Sequence, residues 1–327
     1  MEEIKIKKIV EDLIDTFLQA GKLSLDLRKK GLTKKIKEDN TPVSNGDIEV
    51  NKIISKKISQ LTPDLPIISE EVSENKDRTD LKDFWLIDPI DGTYDYINDL
   101  DEFTINAGLI INKKPAAGLI YAPAKNRMFY SHGKNLAFEL IDGKAINLNC
   151  SKNFEENKIK FVSYSNKIKP EIEKIHKELN VKKFVRMKSS LKFCVIAAGE
   201  YDGYVAEPRA CEWDIAAGHA ILEHAGGSIT DFNLNKIRSY LIGKGIKDKF
   251  ITDTVNKIRD QNSDQDFFSA IKICKKKRIG PARTEDNRSL FYKKDISLLA
   301  RNGFDFETSK KVMDIDKYDY LKIIKLL

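Results

Sequence analysis

The chain has 327 residues, of which 41% are hydrophobic and 33% are charged. This length is enough for one large domain with an appendage, or for two mid-sized domains. No apolar run reaches the roughly 18 residues that a transmembrane helix needs. The first residues mix acids with bases and lack a continuous apolar stretch, which is not the pattern of a secretory signal. We therefore expect a cytoplasmic protein.

The four cysteines, Cys150, Cys194, Cys211 and Cys274, lie far apart, and no C-x-x-C pair is present. This spacing argues against a zinc site and against a disulfide framework. We expect reduced thiols, most of them buried.

The net charge of +7 is unevenly distributed along the chain. From Arg238 to the end there are 21 Lys and Arg residues against 13 Asp and Glu residues, so the whole positive excess lies there. Such a basic segment is typical of proteins with anionic partners, but lysine-rich compositions produce the same balance without any function. Charge alone leaves both interpretations open.

Apolar residues recur at helical spacing from Ile9 to Leu18 and from Ile48 to Leu61, which predicts two amphipathic helices. Short β-branched or aromatic runs bounded by turn residues then predict five strands, at 66–69, 84–87, 103–111, 116–122 and 127–132. After Asn149 the pattern predicts strands at 160–165, 201–207 and 228–232 and helices at 169–178, 189–198 and 214–224. The succession predicts a layered fold of the α/β or α+β class with mixed sheets.

Beyond Asn235 the strand signals nearly vanish. Lysine-rich segments of helical period follow one another at 246–259, 265–277, 289–301 and 306–313, with glycine turn signals between them. We therefore predict a boundary near 234–238, with one domain over residues 1–236 and a small all-helical module over residues 237–327.

The segment WLIDPIDGTYDY, residues 85–96, carries the strongest chemical signal. An apolar strand reaches Asp88, and because Pro89 cannot donate a hydrogen bond to a neighbouring strand, we expect the chain to turn there. Asp88, Asp91 and the carbonyl oxygen of Ile90 could then converge on one point. Hard divalent cations such as Mg²⁺ take oxygen ligands of this kind.

The same residue types also favour an ordinary turn. Further acidic residues weigh against that simpler interpretation. Glu70 and its neighbour Glu71 follow a predicted strand, Asp214 stands at a predicted helix start, and Asp47 precedes a helix. The last two are also ordinary helix-capping residues, so the sequence pattern leaves their role open.

These pieces, taken together and in this order, resemble the inositol monophosphatase superfamily over residues 5 to 235. The residues that carry the resemblance are Asp47, Glu70-Glu71, the run from Asp88 to Thr93, and the run from Trp213 to Gly218. Five further segments resemble the CysQ-type 3'(2'),5'-bisphosphate nucleotidases within it: KEDNTPVSNGD, IISEE, FTIN at 103–106, GLIYAPA and SSLKFC. The chain departs from that type at Tyr94-Asp95-Tyr96, where Lys-Glu-Phe is usual.

The resemblance implies two or more Mg²⁺ ions. One is held by Glu70, Asp88 and the Ile90 carbonyl, and a second by Asp88, Asp91 and Asp214. It implies catalytic roles for Asp47, Thr93 and Glu70, in which Asp47 accepts a hydrogen bond from the Thr93 hydroxyl and that hydroxyl orients or deprotonates the attacking water. The implied substrate-binding residues are Ile90, Asp91, Gly92, Thr93, Ser189, Lys192 and Asp214. Ser190 matches the same region as Ser189 and Lys192, the nucleotide side of the cleft.

The implied reaction is hydrolysis of a small phosphorylated substrate, and adenosine 3',5'-bisphosphate is the first expectation. Inositol monophosphate, histidinol phosphate and fructose bisphosphate are the alternatives. Homodimers are common in the superfamily, and the resemblance therefore extends to a homodimer. A function of another class is a RecA- or DNA-binding regulator whose phosphatase half is an inactive support.

The C-terminal segment 238–327 resembles the latter part of RecX, a helical regulator of the RecA recombinase. The resemblance rests on LIGKGI at 241–246 and LARNGF at 299–304. It implies a binding module that contacts RecA or nucleic acid, with the basic cluster 275–278 near the partner. An ordinary solvated basic face is the competing interpretation.

Overall fold

The computed structural model describes residues 2–37, 41–72, 75, 80–151, 158–206, 210–229, 265–301, 304 and 306–326. The chain divides into two compact units, residues 1–229 and residues 230–327. Several predicted features lie outside the described residues: the boundary near 234–238, the helix at 246–259, the LIGKGI segment and most of the strand at 228–232.

The first unit contains six α-helices in its described part: α1 (Glu3–Lys30), α2 (Asn45–Leu61), α3 (Thr93–Ile97), α4 (Pro170–Glu178), α5 (Leu191–Ala197) and α6 (Glu212–His224). A large sheet is built from β3 (Ile67–Ser69), β4 (Phe84–Asp91), β5 (Thr104–Ile111), β6 (Lys114–Ala122), β7 (Arg127–Gly133), β8 (Leu136–Ile141) and β9 (Lys144–Asn147). A two-stranded sheet pairs β1 (Lys34–Ile36) with β2 (Pro42–Ser44). A three-stranded sheet joins β10 (Lys160–Ser163), β11 (Lys183–Arg186) and β12 (Gly203–Tyr204).

The seven strands of the large sheet follow one another in chain order, and only the pair β3 and β4 is parallel. Because side chains alternate across a strand, the sheet buries apolar residues on both of its faces. One face packs against α1 and α2, where Leu13, Phe17, Ile54 and Trp85 are fully buried. The other face packs against α6. The result is a helix–sheet–helix sandwich.

Two glycines let α6 lie directly on the sheet. A Cβ atom on Gly118 would lie 2.2 Å from the carbonyl oxygen of Ala217, and a Cβ on Gly108 would lie 2.7 Å from the Cβ of Ala216. Any larger residue would therefore push the helix away. This close approach holds Ala216 and Ala217 of α6 directly against β5 and β6.

The prediction that the chain turns at Asp88 is wrong. Strand β4 continues through Pro89 to Asp91, and its pairing with β5 shifts register between Asp88 and Asp91. The irregularity explains how a proline is tolerated, since its missing N–H falls where the ladder of hydrogen bonds is already interrupted. The irregularity lies between the two aspartates, and Asp91 is the last residue of the strand.

Other elements were missed or shortened by the sequence patterns. Five of the described strands had no prediction: β1, β2, β8, β9 and β11. In the described part of the predicted strand at 201–207, only two residues are in a strand. The described parts of the predicted helices at 169–178, 189–198 and 214–224 are confirmed within about two residues at each end. Of the cysteines, Cys194 and Cys274 are buried, whereas Cys150 is half-buried and Cys211 is exposed.

The second unit is all-helical in its described part: α7 (Gln265–Lys277), α8 (Glu285–Arg301), α9 (Phe306–Met313) and α10 (Lys317–Leu326). Its core includes Ile271, Leu299 and Val312. Buried Asp295 joins two segments, because it accepts hydrogen bonds from Arg283 at 2.6 and 2.9 Å and from the backbone N–H of Gly280 at 2.8 Å. The sequence patterns predicted α7, α8 and α9 and missed α10. No helix in the described residues is long and apolar enough to cross a membrane.

Candidate active site

Three carboxylates meet where β4 ends and α6 begins. Asp88, Asp91 and Asp214 each offer an oxygen, and these three atoms lie within 4.8 Å of one another. Asp88 is only 1% exposed, whereas Asp91 and Asp214 are half-buried. The bulge in β4 aims the first two inward, and the packing of α6 on the sheet brings the third.

Local hydrogen bonds fix the two outer carboxylates. Asp214 is the third residue of α6, and its Oδ2 accepts the backbone N–H of the N-cap residue Cys211 at 2.7 Å. Asp214 is therefore not the N-cap residue, although the simpler interpretation of the sequence suggested that role. Asp91 Oδ2 accepts hydrogen bonds from the backbone N–H and the hydroxyl of Ser190, both at 2.5 Å. The Ser190 hydroxyl also lies 2.8 Å from the carbonyl oxygen of Asp214, so it links both sides of the cluster.

The resemblance placed Ser190 with Ser189 and Lys192 on the nucleotide side of the cleft. In the structure Ser190 also holds a carboxylate of the cluster, a contact that the sequence did not predict.

The cluster is electrostatically costly without a cation. Burial raises the pKa of Asp88 well above its ordinary value, and the charges of Asp91, Glu70 and Asp214 raise it further. Burial and the charge of Asp91 also raise the pKa of Asp214, to about 6. Groups that repel one another in this way, and that offer only oxygen atoms, fit a hard divalent cation.

Two buried polar side chains on the neighbouring strand support that fit. Asn106 lies directly opposite Asp88 in the β4–β5 pairing, and Thr104 lies opposite Asp91. Neither the amide of Asn106 nor the hydroxyl of Thr104 has a hydrogen-bond partner within the described part of the chain. Because buried polar groups are nearly always satisfied, this patch is suited to a hydrated ion. The FTIN segment was the only sequence sign of these two residues.

Glu70 lies beside the cluster rather than within it. Its backbone N–H donates to the carbonyl oxygen of Ile87 at 3.0 Å, which places it at the end of β3. Its charge is close enough to raise the pKa of Asp88, so the fold brings these two predicted residues together.

Lys37 contacts this acidic group and was missed by the sequence analysis. Its Nζ lies 3.2 Å from Glu70 Oε1 and 2.7 Å from Glu71 Oε1. Burial by itself lowers the pKa of Lys37. The hydrogen bond to Glu71 and the charges of both glutamates outweigh this effect, so the pKa is raised. The ammonium therefore stays charged beside the carboxylates.

Asp47 and Thr93 are in contact, as the resemblance implied. The Thr93 hydroxyl lies 3.1 Å from Asp47 Oδ1 and 3.0 Å from the carbonyl oxygen of Ile90. Asp47 is buried as the third residue of α2, and its other oxygen accepts hydrogen bonds from the backbone N–H and hydroxyl of Ser44 at 2.8 and 2.6 Å. Burial raises the pKa of Asp47, although hydrogen bonds from Ser44 and Thr93 oppose that shift.

The other predicted substrate-binding residues surround this arrangement. Gly92 has a φ of 97°, and a Cβ there would lie 2.6 Å from the carbonyl oxygen of Glu102, so the turn between Asp91 and Thr93 requires glycine. Ser189 is buried. Lys192 is 8% exposed, and its Nζ donates to the carbonyl oxygens of Lys188 and Ser189, both at 3.1 Å.

Comparison with known proteins places this geometry in a family. The sequence model of the Inositol monophosphatase family matches residues 6–262. The 3'(2'),5'-bisphosphate nucleotidase CysQ of Buchnera aphidicola subsp. Acyrthosiphon pisum (strain APS) is 35% identical over 236 residues, which cover 70% of this chain and 88% of the relative.

Two solved structures share the fold. CysQ from Bacteroides thetaiotaomicron, described as a bacterial member of the inositol monophosphatase family, has a TM-score of 0.53 and 28% identity, and the match covers 66% of this chain and 86% of that one. The extragenic suppressor protein suhB from Bartonella henselae has a TM-score of 0.58 and 24% identity, and the match covers 69% of this chain and 88% of that one.

The chain therefore belongs to the inositol monophosphatase family, and it is a metal-dependent enzyme that hydrolyses phosphate monoesters. The solved structures also confirm the predicted layered α/β class. The family match runs to residue 262, beyond the domain end that the sequence patterns place at residue 236.

Proposed function

We propose that this protein is a Mg²⁺-dependent 3'(2'),5'-bisphosphate nucleotidase that converts adenosine 3',5'-bisphosphate to AMP and phosphate. The observation that carries the proposal is the three-carboxylate cluster of Asp88, Asp91 and Asp214 beside the Thr93–Asp47 contact. The nucleotide substrate is suggested by the names of the CysQ relatives and by segments such as FTIN and SSLKFC.

Two ligand sets would hold the cations. Glu70, Asp88 and the Ile90 carbonyl form the first, and Asp88, Asp91 and Asp214 form the second. Cations bound there supply Lewis-acid chemistry, because they lower the pKa of a water molecule and neutralise charge on the phosphate. The all-oxygen donor set favours Mg²⁺ over softer metals.

Thr93 and Asp47 handle the proton of the attacking water. The Thr93 hydroxyl can pass its proton to Asp47 Oδ1, 3.1 Å away, while it takes one from the water. Ser44 holds the other Asp47 oxygen through two hydrogen bonds, so the acceptor is already oriented. The new bond forms between the water oxygen and phosphorus as the bond to the ribose oxygen breaks, and the ribose oxygen takes a proton from solvent water. No covalent enzyme intermediate is required.

The proposal is tested by phosphate release from the purified chain with Mg²⁺ or with a chelator. The substrates are adenosine 3',5'-bisphosphate, inositol monophosphate, histidinol phosphate and fructose bisphosphate. We expect phosphate release that depends on Mg²⁺ and is fastest with the nucleotide. Asp91→Asn should abolish this release, whereas the control Asp64→Asn, at an exposed position, should retain it. Faster turnover of another substrate would keep the mechanism and replace the nucleotidase assignment, whereas no turnover of any would refute the enzyme.

We propose in addition that residues 237–327 form a binding module for RecA or nucleic acid. The support is the RecX-like sequence pattern, the helical unit with its own core, and the exposed basic cluster 275–278. Binding to nucleic acid is tested by titrating a fluorescently labelled DNA duplex with the protein at low and at high salt. A variant with Lys275→Glu, Lys276→Glu and Lys277→Glu should lose the salt-dependent binding. RecA is titrated in the same way, and the absence of binding to both DNA and RecA would refute the binding module.

We propose finally that the protein is a homodimer, which light scattering tests, and that it is cytoplasmic, which cell fractionation tests.

A further inference from the structure

One buried position of helix α2 carries a polar residue, Asn51. The buried residues Val50, Ile54 and Ile58 of the same helix are apolar, whereas Asn51 is only 6% exposed and carries an amide. A buried amide costs free energy unless its polar atoms are hydrogen-bonded. The contacts of this amide therefore indicate what the position does.

Two hydroxyl groups donate to the same oxygen of Asn51. Ser69 Oγ lies 2.7 Å from Asn51 Oδ1, and Ser55 Oγ lies 3.2 Å from it. Ser55 stands one turn further along α2, so its bond stays within the helix. Ser69 is the last residue of β3. Of the two bonds, only the one from Ser69 therefore ties the helix to another segment.

Ser69 begins the turn that presents Glu70. The backbone N–H of Glu71 donates to Ser69 Oγ at 3.3 Å, and the backbone N–H of Val72 donates to the carbonyl oxygen of Ser69 at 3.4 Å. Glu70 and Glu71 form the turn between these two ends. Where the structure describes the chain, β3 pairs with β4 alone, so the sheet supports the turn from one side. The bond to Asn51 supports it from α2.

Helix α2 thereby contacts two parts of the site. Asp47 and Asn51 are four residues apart, so they lie on the same face of the helix. Asp47 accepts a hydrogen bond from the Thr93 hydroxyl at 3.1 Å, and Asn51 accepts one from the Ser69 hydroxyl. One helix face therefore connects the Thr93–Asp47 contact to the turn that carries Glu70.

We infer that Asn51 is a positioning residue, which acts through Ser69 to hold the turn of Glu70 and Glu71 in the orientation that binds Mg²⁺. The inference rests on the proposed function, in which Glu70 is a Mg²⁺ ligand. Mg²⁺ demands near-ideal octahedral geometry, so it tolerates a displaced ligand poorly. A turn without its tie to α2 must be ordered when the ion binds, and this loss of entropy lowers the affinity.

The test measures the Mg²⁺ dissociation constant of the purified chain by calorimetry, without substrate. For Ser69→Ala and for Asn51→Leu we expect this constant to rise about 10-fold, as is typical when the partner of a metal ligand is removed. The matched control is Ser55→Ala, which removes the other hydrogen bond to the same oxygen and should leave the constant as in wild type. Ser69→Thr keeps the hydroxyl and should bind Mg²⁺ as wild type does.

Two further measurements separate positioning from stability. At saturating Mg²⁺ the kcat of Ser69→Ala should stay near that of wild type, because the bound ion then orders the turn. The double variant Asn51→Leu, Ser69→Ala should bind Mg²⁺ no more weakly than Asn51→Leu alone, because both changes remove the same bond. Should Asn51→Leu fail to fold, Ser69→Ala, Ser69→Thr and Ser55→Ala decide the question.

A purely structural role would lower the urea midpoint in a chelator for Ser55→Ala and Ser69→Ala alike and would leave both Mg²⁺ constants unchanged. That result would overturn the inference, and so would equal losses of Mg²⁺ affinity in the two variants. If wild type binds no Mg²⁺, the proposed function and the inference both fail. If wild type binds Mg²⁺ and hydrolyses the nucleotide, and Ser69→Ala binds the ion equally well, only the inference fails.

Discussion

Replacing Asp214 with asparagine should stabilise the metal-free protein and impair the enzyme. The substitution removes one negative charge from the cluster of Asp88, Asp91 and Asp214, and it keeps a side-chain oxygen for the backbone N–H of Cys211. Helix α6 therefore keeps its N-terminal hydrogen bond. What changes is the repulsion among the carboxylates.

The pKa of Asp214 gives the sign and the size of the effect. It is about 6 in the folded protein against an ordinary value of 3.8, so the folded state binds this proton more tightly than the unfolded state does. Protonated Asp214 therefore contributes to the stability of the folded state. This contribution is fully present below pH 3.8 and is lost as the pH rises through 6. The full penalty at pH 7.5 is about 3 kcal/mol, and partial exposure of the side chain reduces the expected gain to roughly 1–2 kcal/mol.

Urea unfolding in a chelator measures this gain. Both tryptophans of the chain, Trp85 and Trp213, lie in the first unit, so their fluorescence reports on that unit alone. At pH 7.5 the midpoint of Asp214→Asn should exceed that of wild type by about 0.5 M, and the difference should shrink several-fold by pH 4. The exposed control Asp64→Asn should show no such gain.

Mg²⁺ should reverse the order of stability. A ligand at 100 times its Kd stabilises the folded state by about 2.7 kcal/mol, and the variant, which lacks one charged ligand, should gain less. Phosphate release should fall in parallel. An Asp214→Asn protein that is no more stable than wild type in chelator at pH 7.5 would refute the electrostatic reasoning.

Two further predictions test the proton acceptor and the placement of α6. Thr93→Val should lower kcat about 100-fold or more, while the stabilisation of the protein by Mg²⁺ is retained. Thr93→Ser, which keeps the hydroxyl, should keep most of the activity. Equal rates for the two variants would exclude a role for the hydroxyl. Gly118→Ala should cost about 1–3 kcal/mol in urea unfolding and weaken Mg²⁺ affinity, because the new methyl group displaces α6 and with it Asp214. Gly133→Ala, whose Cβ meets nothing closer than 3.4 Å, is the control, and equal losses in the two proteins would contradict this mechanism.

Local patterns predicted the elements whose signal lies within a few residues. The long helices α1 and α2 and the strands β5, β6 and β7 were predicted because apolar periodicity is a local property. The hairpin of β8 and β9 was missed, since its outer strand is exposed and has little apolar signal. Strand β4 was ended too early, because the sequence shows Pro89 but not the interrupted pairing that accommodates it.

The sequence by itself supplied the chemical groups of this protein: the acidic residues at strand and helix ends, the threonine beside them, and the basic C-terminal segment. Only the tertiary structure decided how they meet. Asp214 follows Asp88 by more than a hundred residues, and their approach depends on two glycines that let α6 rest on the sheet. Packing also brings Lys37, Ser190 and Asn106 to the site. Contacts between such distant segments are set by the packing of the whole domain, which no short stretch of sequence encodes.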